Sequence, residues 1–251
     1  MHTFTKRYGV SAALLALVLL STGCATGPHA NPKDPLEPMN RKIAVFNDTL
    51  DDNVLKPVAT GYRDYTPQFF QTGVSNFFRN LSDVLSTLNN GLQLKGHDTA
   101  ESFMRVTVNT VFGIYGIFDV ATHIGLERHP EDFGQTLGYW GVPDGPYLVL
   151  PVFGPSTVRD SAVLPLEFSL DPVSNHNATA ERNVAVFTRI VDKRASLLKT
   201  TNLLSGAAID KYSFTRDGYL QFRRNQVYDG NPPDEDHLED PSAEPVAPSA
   251  K

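Results

Sequence analysis

Apolar residues in this chain recur at steps of three and four, and nowhere do they alternate with period two for long. That spacing is the mark of helices with one apolar face, and it leaves little room for a sheet. The clearest stripes are Met39, Ile43, Phe46 and Leu50; Val84, Leu85, Leu88 and Leu92; Ala100, Phe103, Thr107, Val108 and Val111; and Val184, Phe187, Val191, Ala195 and Leu198. They predict helices over 35–50, from Ser82 as a cap, from Asp98 or Thr99, and over 177–204, with others over 69–78 and 214–228. Pro57 and Pro67 are expected to break the chain on either side of 58–65. The best strand candidate is the short run Tyr147-Leu148-Val149-Leu150. The fold class expected is mainly all-α.

The N-terminus is of another kind. Lys6 and Arg7 precede an apolar run from Ala12 to Leu20, followed by Ser21-Thr22-Gly23-Cys24. The run has the length of a secretory signal core and is too short to cross a membrane, which takes about 20 residues. Small residues ahead of a cysteine suit a lipoprotein signal peptidase, so residues 1–23 are expected to be removed and Cys24 to carry lipid. Ser21 departs from the leucine usual at that position; Leu20 stands one place earlier. Cys24 is the only cysteine, so the mature chain has no internal disulfide and must be stabilised by burial. Ala25, where Asp would resemble an inner-membrane retention signal, points to the outer membrane. Residues 24–35 read as a lipidated tether and 36–228 as one helical domain. Residues 229–251, with seven acidic side chains against Lys251 and five prolines, read as a disordered tail. That tail accounts for the whole net charge of −6. The body is therefore neutral, and nucleic acid is not an expected partner.

One segment fits neither helix nor solvated loop. From Phe133 to Pro155 the chain carries Gly134, Gly138, Gly141, Gly145 and Gly154 among Pro143, Pro146, Pro151 and Pro155, interleaved with Tyr139, Trp140, Tyr147 and Phe153. Glycine and proline prevent a long regular helix, yet so apolar a stretch must pack against the core, a membrane or a lipid. Tyr139, Trp140, Tyr147, Phe153, Gly138, Gly141 and Gly145 are the candidates to line a lipid path. Enzyme chemistry is not expected. Gly154-Pro155-Ser156-Thr157-Val158 approaches a nucleophile elbow but lacks the closing glycine. His97, His123, His129 and His176 are scattered without metal-ligand spacing. No metal and no cofactor are expected.

A series of words in fixed order carries a resemblance. They include Asp34-Pro35-Leu36-Glu37, Asn40-Arg41, Phe46-Asn47, Lys56-Pro57-Val58-Ala59, Tyr62-Arg63-Asp64-Tyr65 and Gly73-Val74-Ser75-Asn76-Phe77-Phe78. Arg105, Val108-Asn109-Thr110, Gly113, Gly116 and Asp119-Val120-Ala121 follow. The densest is Asp132-Phe133-Gly134-Gln135-Thr136-Leu137-Gly138-Tyr139-Trp140-Gly141-Val142, continuing to Arg159-Asp160. The chain resembles the MlaA/VacJ family of outer-membrane lipoproteins. The resemblance implies a ring-like arrangement of amphipathic helices around a central channel. It implies removal of misplaced phospholipid from the outer leaflet and delivery to a periplasmic lipid carrier, with association to a trimeric porin. The alternative is a structural lipoprotein that braces a porin or the envelope and transfers no lipid.

Overall fold

The computed structural model describes residues 31–207 and 209–233. The signal segment, Cys24, most of the tether and residues 234–251 lie outside the described residues. The first helix, α1 (Glu37–Leu50), starts behind Pro35-Leu36, with Pro38 in its first turn where a missing N–H costs nothing. It does not stop at Leu50. A π-helical turn, Asp51–Leu55, carries it straight into α2 (Lys56–Tyr65). Pro57, expected to break the chain, sits in the first turn of α2 instead. The wider turn lets the Lys56 N–H reach the Asp51 carbonyl five residues back, so the proline ring enters a register already opened. The break comes at Thr66, which is extended as a residue before proline prefers.

The two helices expected between 69 and 92 are one helix, α3 (Gln68–Leu92). Ser82 is no cap. It lies mid-helix, and its hydroxyl donates back to the Phe78 carbonyl at 3.0 Å. Nothing in Arg79-Asn80-Leu81 interrupts a helix, so the two patterns merge. After a short turn with Leu94 in the left-handed region, α4 (Gly96–Val111) packs along α3. The one-turn helix α5 (Val120–His123) follows, capped by the Asp119 carboxylate.

The Gly/Pro segment holds more regular structure than its composition suggests. A short helix, α6 (Phe133–Tyr139), is capped by Asp132 accepting from the Gln135 N–H at 2.8 Å. The predicted strand β1 (Tyr147–Leu150) pairs antiparallel with β2 (Gly154–Thr157), with Tyr147 opposite Thr157 and Leu150 opposite Gly154. Thr157 then caps α7 (Val158–Leu170), which the apolar spacing did not suggest. Two helices complete the body: α8 (Thr179–Ala207) and α9 (Lys211–Val227), the latter capped by Asp210.

The apolar core is small and divided. Ala59, Ala195 and Leu198 meet with Tyr62 where α2 crosses α8. Tyr147, Val149 and Tyr212 meet with Ile43, Ala44, Tyr219 and Leu220 where β1 lies between α1 and α9. Among the described residues no helix is long and apolar enough to cross a membrane. Asp229, just beyond the expected domain end at 228, pairs with Lys95 at 2.6 Å.

Candidate functional site

The faces of α3 and α4 are turned inside out relative to an ordinary globular protein. Asn80, Asp83, Ser86, Asn89 and Asn90 of α3 are buried, and so are Ser102, Arg105 and Asn109 of α4. The apolar stripes point the other way: Val84, Leu88 and Leu92 on α3, and Phe103, Met104 and Val111 on α4, are exposed, Phe103 by 61%. Burying polar groups is costly unless they are hydrogen-bonded, and most of these side chains hold the long connection between α4 and α6, although Asn80 Oδ1, Asn90 Oδ1 and Arg105 Nε are buried without a hydrogen-bond partner. Arg105 donates to Asp119 at 3.1 Å and to the Leu126 carbonyl at 2.6 Å. Asn109 donates to Asp119 and accepts from the Ala121 N–H. Asp83 accepts from Arg128 at 2.7 Å. Asn90 reaches the His129 carbonyl, and Gln93 reaches Glu131 and Thr136. Lys95 lies between Glu131 at 3.0 Å and Asp229.

A second polar centre ties three distant segments together. The buried Arg223 guanidinium of α9 donates to both Asp132 and Asp160, and the Tyr219 hydroxyl joins at Asp160. Burial alone would raise the Asp160 carboxyl. The Arg223 hydrogen bond and charge, with Arg159 beside them, outweigh it and hold the group below the ordinary carboxylate range. A third centre anchors the start of the domain: fully buried Asp34 accepts from Asn40 at 2.8 Å and from the Tyr212 hydroxyl at 2.6 Å.

The apolar exterior is continuous around the α4–α5 turn. Phe112, Ile114, Tyr115, Ile117 and Phe118 are exposed, Tyr115 by 71%. Ile114 and Tyr115 both take left-handed backbone angles, uncommon for any side chain and an outlier for a β-branched one. Close approach fixes that turn: a Cβ on Gly116 would meet Asn80, and one on Gly113 would meet the Phe118 carbonyl. Two open apolar-lined grooves lie at opposite ends of α3. One, of about 560 Å³, lies between α3 and α4 at Gly91, Leu94, Thr99 and Phe103. The other, of about 300 Å³, lies at Phe69, Gly73, Ile117 and Phe118.

The seven residues singled out in the Gly/Pro segment divide between interior and exterior. Tyr147 is core, 1% exposed, packed edge-on against Tyr212 and tilted against Tyr219. Gly138 is pressed between Arg159 and Val227, while Gly145 is exposed, though a Cβ added there would meet Val158. Tyr139 is half-buried beneath the Lys95 ammonium. Trp140, Phe153 and Gly141 face outward. Trp140 is 58% exposed with its N–H on the Leu92 carbonyl, and Phe153 stands against Phe168. Ser156, the residue nearest to an elbow nucleophile, is buried in β2 and bonded to Ser161. The histidines are not all scattered. The chain's return over α4 brings His129 onto His97, with ring centres 6.3 Å apart and Asp98 beside both.

Residues 32–226, most of the chain, match the family described as MlaA lipoprotein. The chain belongs to the MlaA lipoprotein family. A relative from Escherichia coli (strain K12), named intermembrane phospholipid transport system lipoprotein MlaA, is 36% identical over 219 residues, 84% of this chain and 86% of that protein. Its namesake in Haemophilus influenzae is 32% identical over 234 residues, 90% and 92% of the two chains. An uncharacterized protein of Rickettsia bellii is 36% identical over 196 residues, 77% and 76%. A solved structure described as the structural basis for maintenance of bacterial outer membrane lipid asymmetry superposes with a TM-score of 0.68 at 34% identity, covering 77% of this chain and 98% of that one. In this MlaA-family chain, many of the residues that carry the resemblance are the polar anchors just described: Asp34, Asn40, Arg105, Asn109, Asp119, Asp132, Gln135 and Asp160. They build the polar interior. Exposed apolar residues, among them Phe46, Tyr65 and Trp140, belong to the same words.

Proposed function

We propose that this chain is an outer-membrane lipoprotein that takes misplaced phospholipid from the outer leaflet and hands it to a periplasmic lipid carrier. The observation that carries the reading is the inverted distribution of side chains. Large apolar residues lie outside on α3, α4 and the turn between α4 and α5, while asparagines, acids and arginines are buried. In water such a surface is a liability. In a bilayer it is what the hydrocarbon demands, and a polar interior offers headgroups a route that avoids crossing hydrocarbon unsatisfied. Among the described residues no helix is long and apolar enough to cross the membrane, which suits a body of amphipathic helices lying within it, held as a ring around a central channel and anchored through lipidated Cys24. The names of the relatives, intermembrane phospholipid transport and outer-membrane lipid asymmetry, support the same reading. A trimeric porin is the proposed partner that seats the exterior, and the chemistry is transfer without bond cleavage.

The test is the phospholipid content of the outer leaflet in cells with and without this gene. Deletion is expected to raise it, the wild-type gene to restore it, and Cys24→Ser to leave a precursor or mislocalised protein that does not. A porin-bracing lipoprotein would instead leave surface phospholipid unchanged on deletion and would purify without bound phospholipid.

A further inference from the structure

Lipid transfer makes no use of the cluster at the start of α4. His97 and Asp98 lie in its first turn, Glu101 one turn on, and His129 arrives from the connection to α6. The His97 Nδ1 is 3.3 Å from an Asp98 carboxylate oxygen, and the His129 Nδ1 is 3.8 Å from the same oxygen. One donor atom from each of the three residues lies within 4.8 Å of the other two. A tetrahedral ion with ligands at about 2.0–2.1 Å holds its donors about 3.3–3.4 Å apart, so small rotations of exposed His97 close the set.

We propose that His97, Asp98 and His129 bind a divalent transition-metal ion, of which zinc best suits two imidazoles and a carboxylate. Glu101 is the positioning residue. Its Oε2 lies 2.7 Å from the His129 Nε2, which places the ring proton there and leaves the Nδ1 lone pair turned toward His97 and Asp98. A carboxylate bound to the far nitrogen of a metal-ligating histidine fixes the tautomer and strengthens the ligand. Glu101 is itself held by the Glu127 N–H. The positive end of the α4 dipole disfavours a cation, and the charges of Asp98 and Glu101 offset it. Three protein ligands leave a fourth position open to water or to a neighbouring group. Magnesium and calcium prefer all-oxygen sets and are excluded by the two imidazoles. Bound metal would clip α4 to residues 127–131, the segment that Asn90, Gln93 and Lys95 hold from its other side.

The experiment uses the mature full-length lipoprotein in detergent, titrated with Co²⁺ and then Zn²⁺. The expected result is one Co²⁺ per chain with the intense visible absorption of a four-coordinate ion, displaced by Zn²⁺. His97→Ala, at an exposed position that leaves the fold intact, should abolish that absorption, and Asp98→Asn should weaken binding in a second, independent variant. Glu101→Gln should keep the stoichiometry and lower affinity about 10–100-fold. His237 in the acidic tail is the competing place for a metal, so His237→Ala should change nothing. The proposal is overturned if no saturable binding occurs, if binding survives His97→Ala and Asp98→Asn, or if it disappears with His237→Ala.

Discussion

Arg223 joins three segments distant in sequence: one guanidinium from α9 closes both the cap of α6, at Asp132, and the first turn of α7, at Asp160. A buried charge of this kind stabilises little by itself, but removing one partner strands the other. Arg223→Ala should therefore cost about 3–5 kcal/mol, read as a lower denaturation midpoint in detergent and reduced abundance in the membrane. Glu167 sits at the same junction, accepting from the Phe133 N–H. Burial, then the charge of Asp132, raises its carboxyl from 4.5 to about 7, with Asp160 adding to the rise and Arg223 opposing it. Because the folded pKa lies above the unfolded one, the folded state keeps a proton the unfolded chain releases. That contribution is complete below about pH 4.5 and is lost as pH rises through about 7. Glu167→Gln, which keeps the acceptor for Phe133, should remove it. The stability of the wild type relative to the variant should fall between pH 5 and pH 8, as followed by thermal melts, and identical pH profiles would refute the assignment.

At the scale of elements, the longest helices were legible and their orientation was not. Period-3.6 stripes correctly announced α1, α4, α8 and the second half of α3, because propensity and pattern agree over long stretches without breakers. Pro57 misled because a π turn can absorb a proline without ending the helix, a detail set by backbone register and not by composition. The stripes also did not say which face is inside. A complementary signal was present: Asn80, Asp83, Ser86, Asn90 and Gln93 on α3 fall at steps of three and four as regularly as the leucines do, and such a polar stripe is what a polar interior requires. The Gly/Pro segment shows the same limit. Tyr147 and Trp140 are alike in sequence, and only packing separates them. Tyr147→Ala should destabilise by about 3–5 kcal/mol, the range for a large buried aromatic, and abundance should fall with it. Gly138→Ala should also destabilise, since its Cβ would meet Arg159 and Val227. Trp140→Ser and Phe153→Ser should leave abundance near wild type, and surface phospholipid is then the informative readout. If those two variants lose abundance as Tyr147→Ala does, both side chains are structural after all.

Across the whole molecule the balance of stabilisation differs from that of a soluble domain of this length. The apolar clusters are small, many buried positions hold hydrogen-bonded polar groups, and many large apolar side chains of α3, α4 and α7 lie on the surface, with Phe78 of α3 an exception. Their burial must come from the surroundings, so the environment of the exterior is the property to measure. The sequence supplies the probe: Trp140 is the only tryptophan, it is exposed, and its N–H is bonded to the carbonyl of exposed Leu92 at the end of α3. A tryptophan with an apolar body and a satisfied N–H suits the boundary between hydrocarbon and headgroups. In chain reconstituted into phospholipid vesicles, its fluorescence should be quenched by lipids brominated on the acyl chain and should be largely protected from acrylamide in the water phase. Moving the reporter with Trp140→Phe and Phe153→Trp samples a second outward position, and Trp140→Phe with Tyr147→Trp samples the core. The lipid-facing exterior requires both outward reporters to respond to brominated lipid and the core reporter to respond to neither quencher. Free access of acrylamide to Trp140, with no effect of brominated lipid at either outward position, would mean that this face meets water or a protein partner, and the inverted surface would then need an occupant other than lipid.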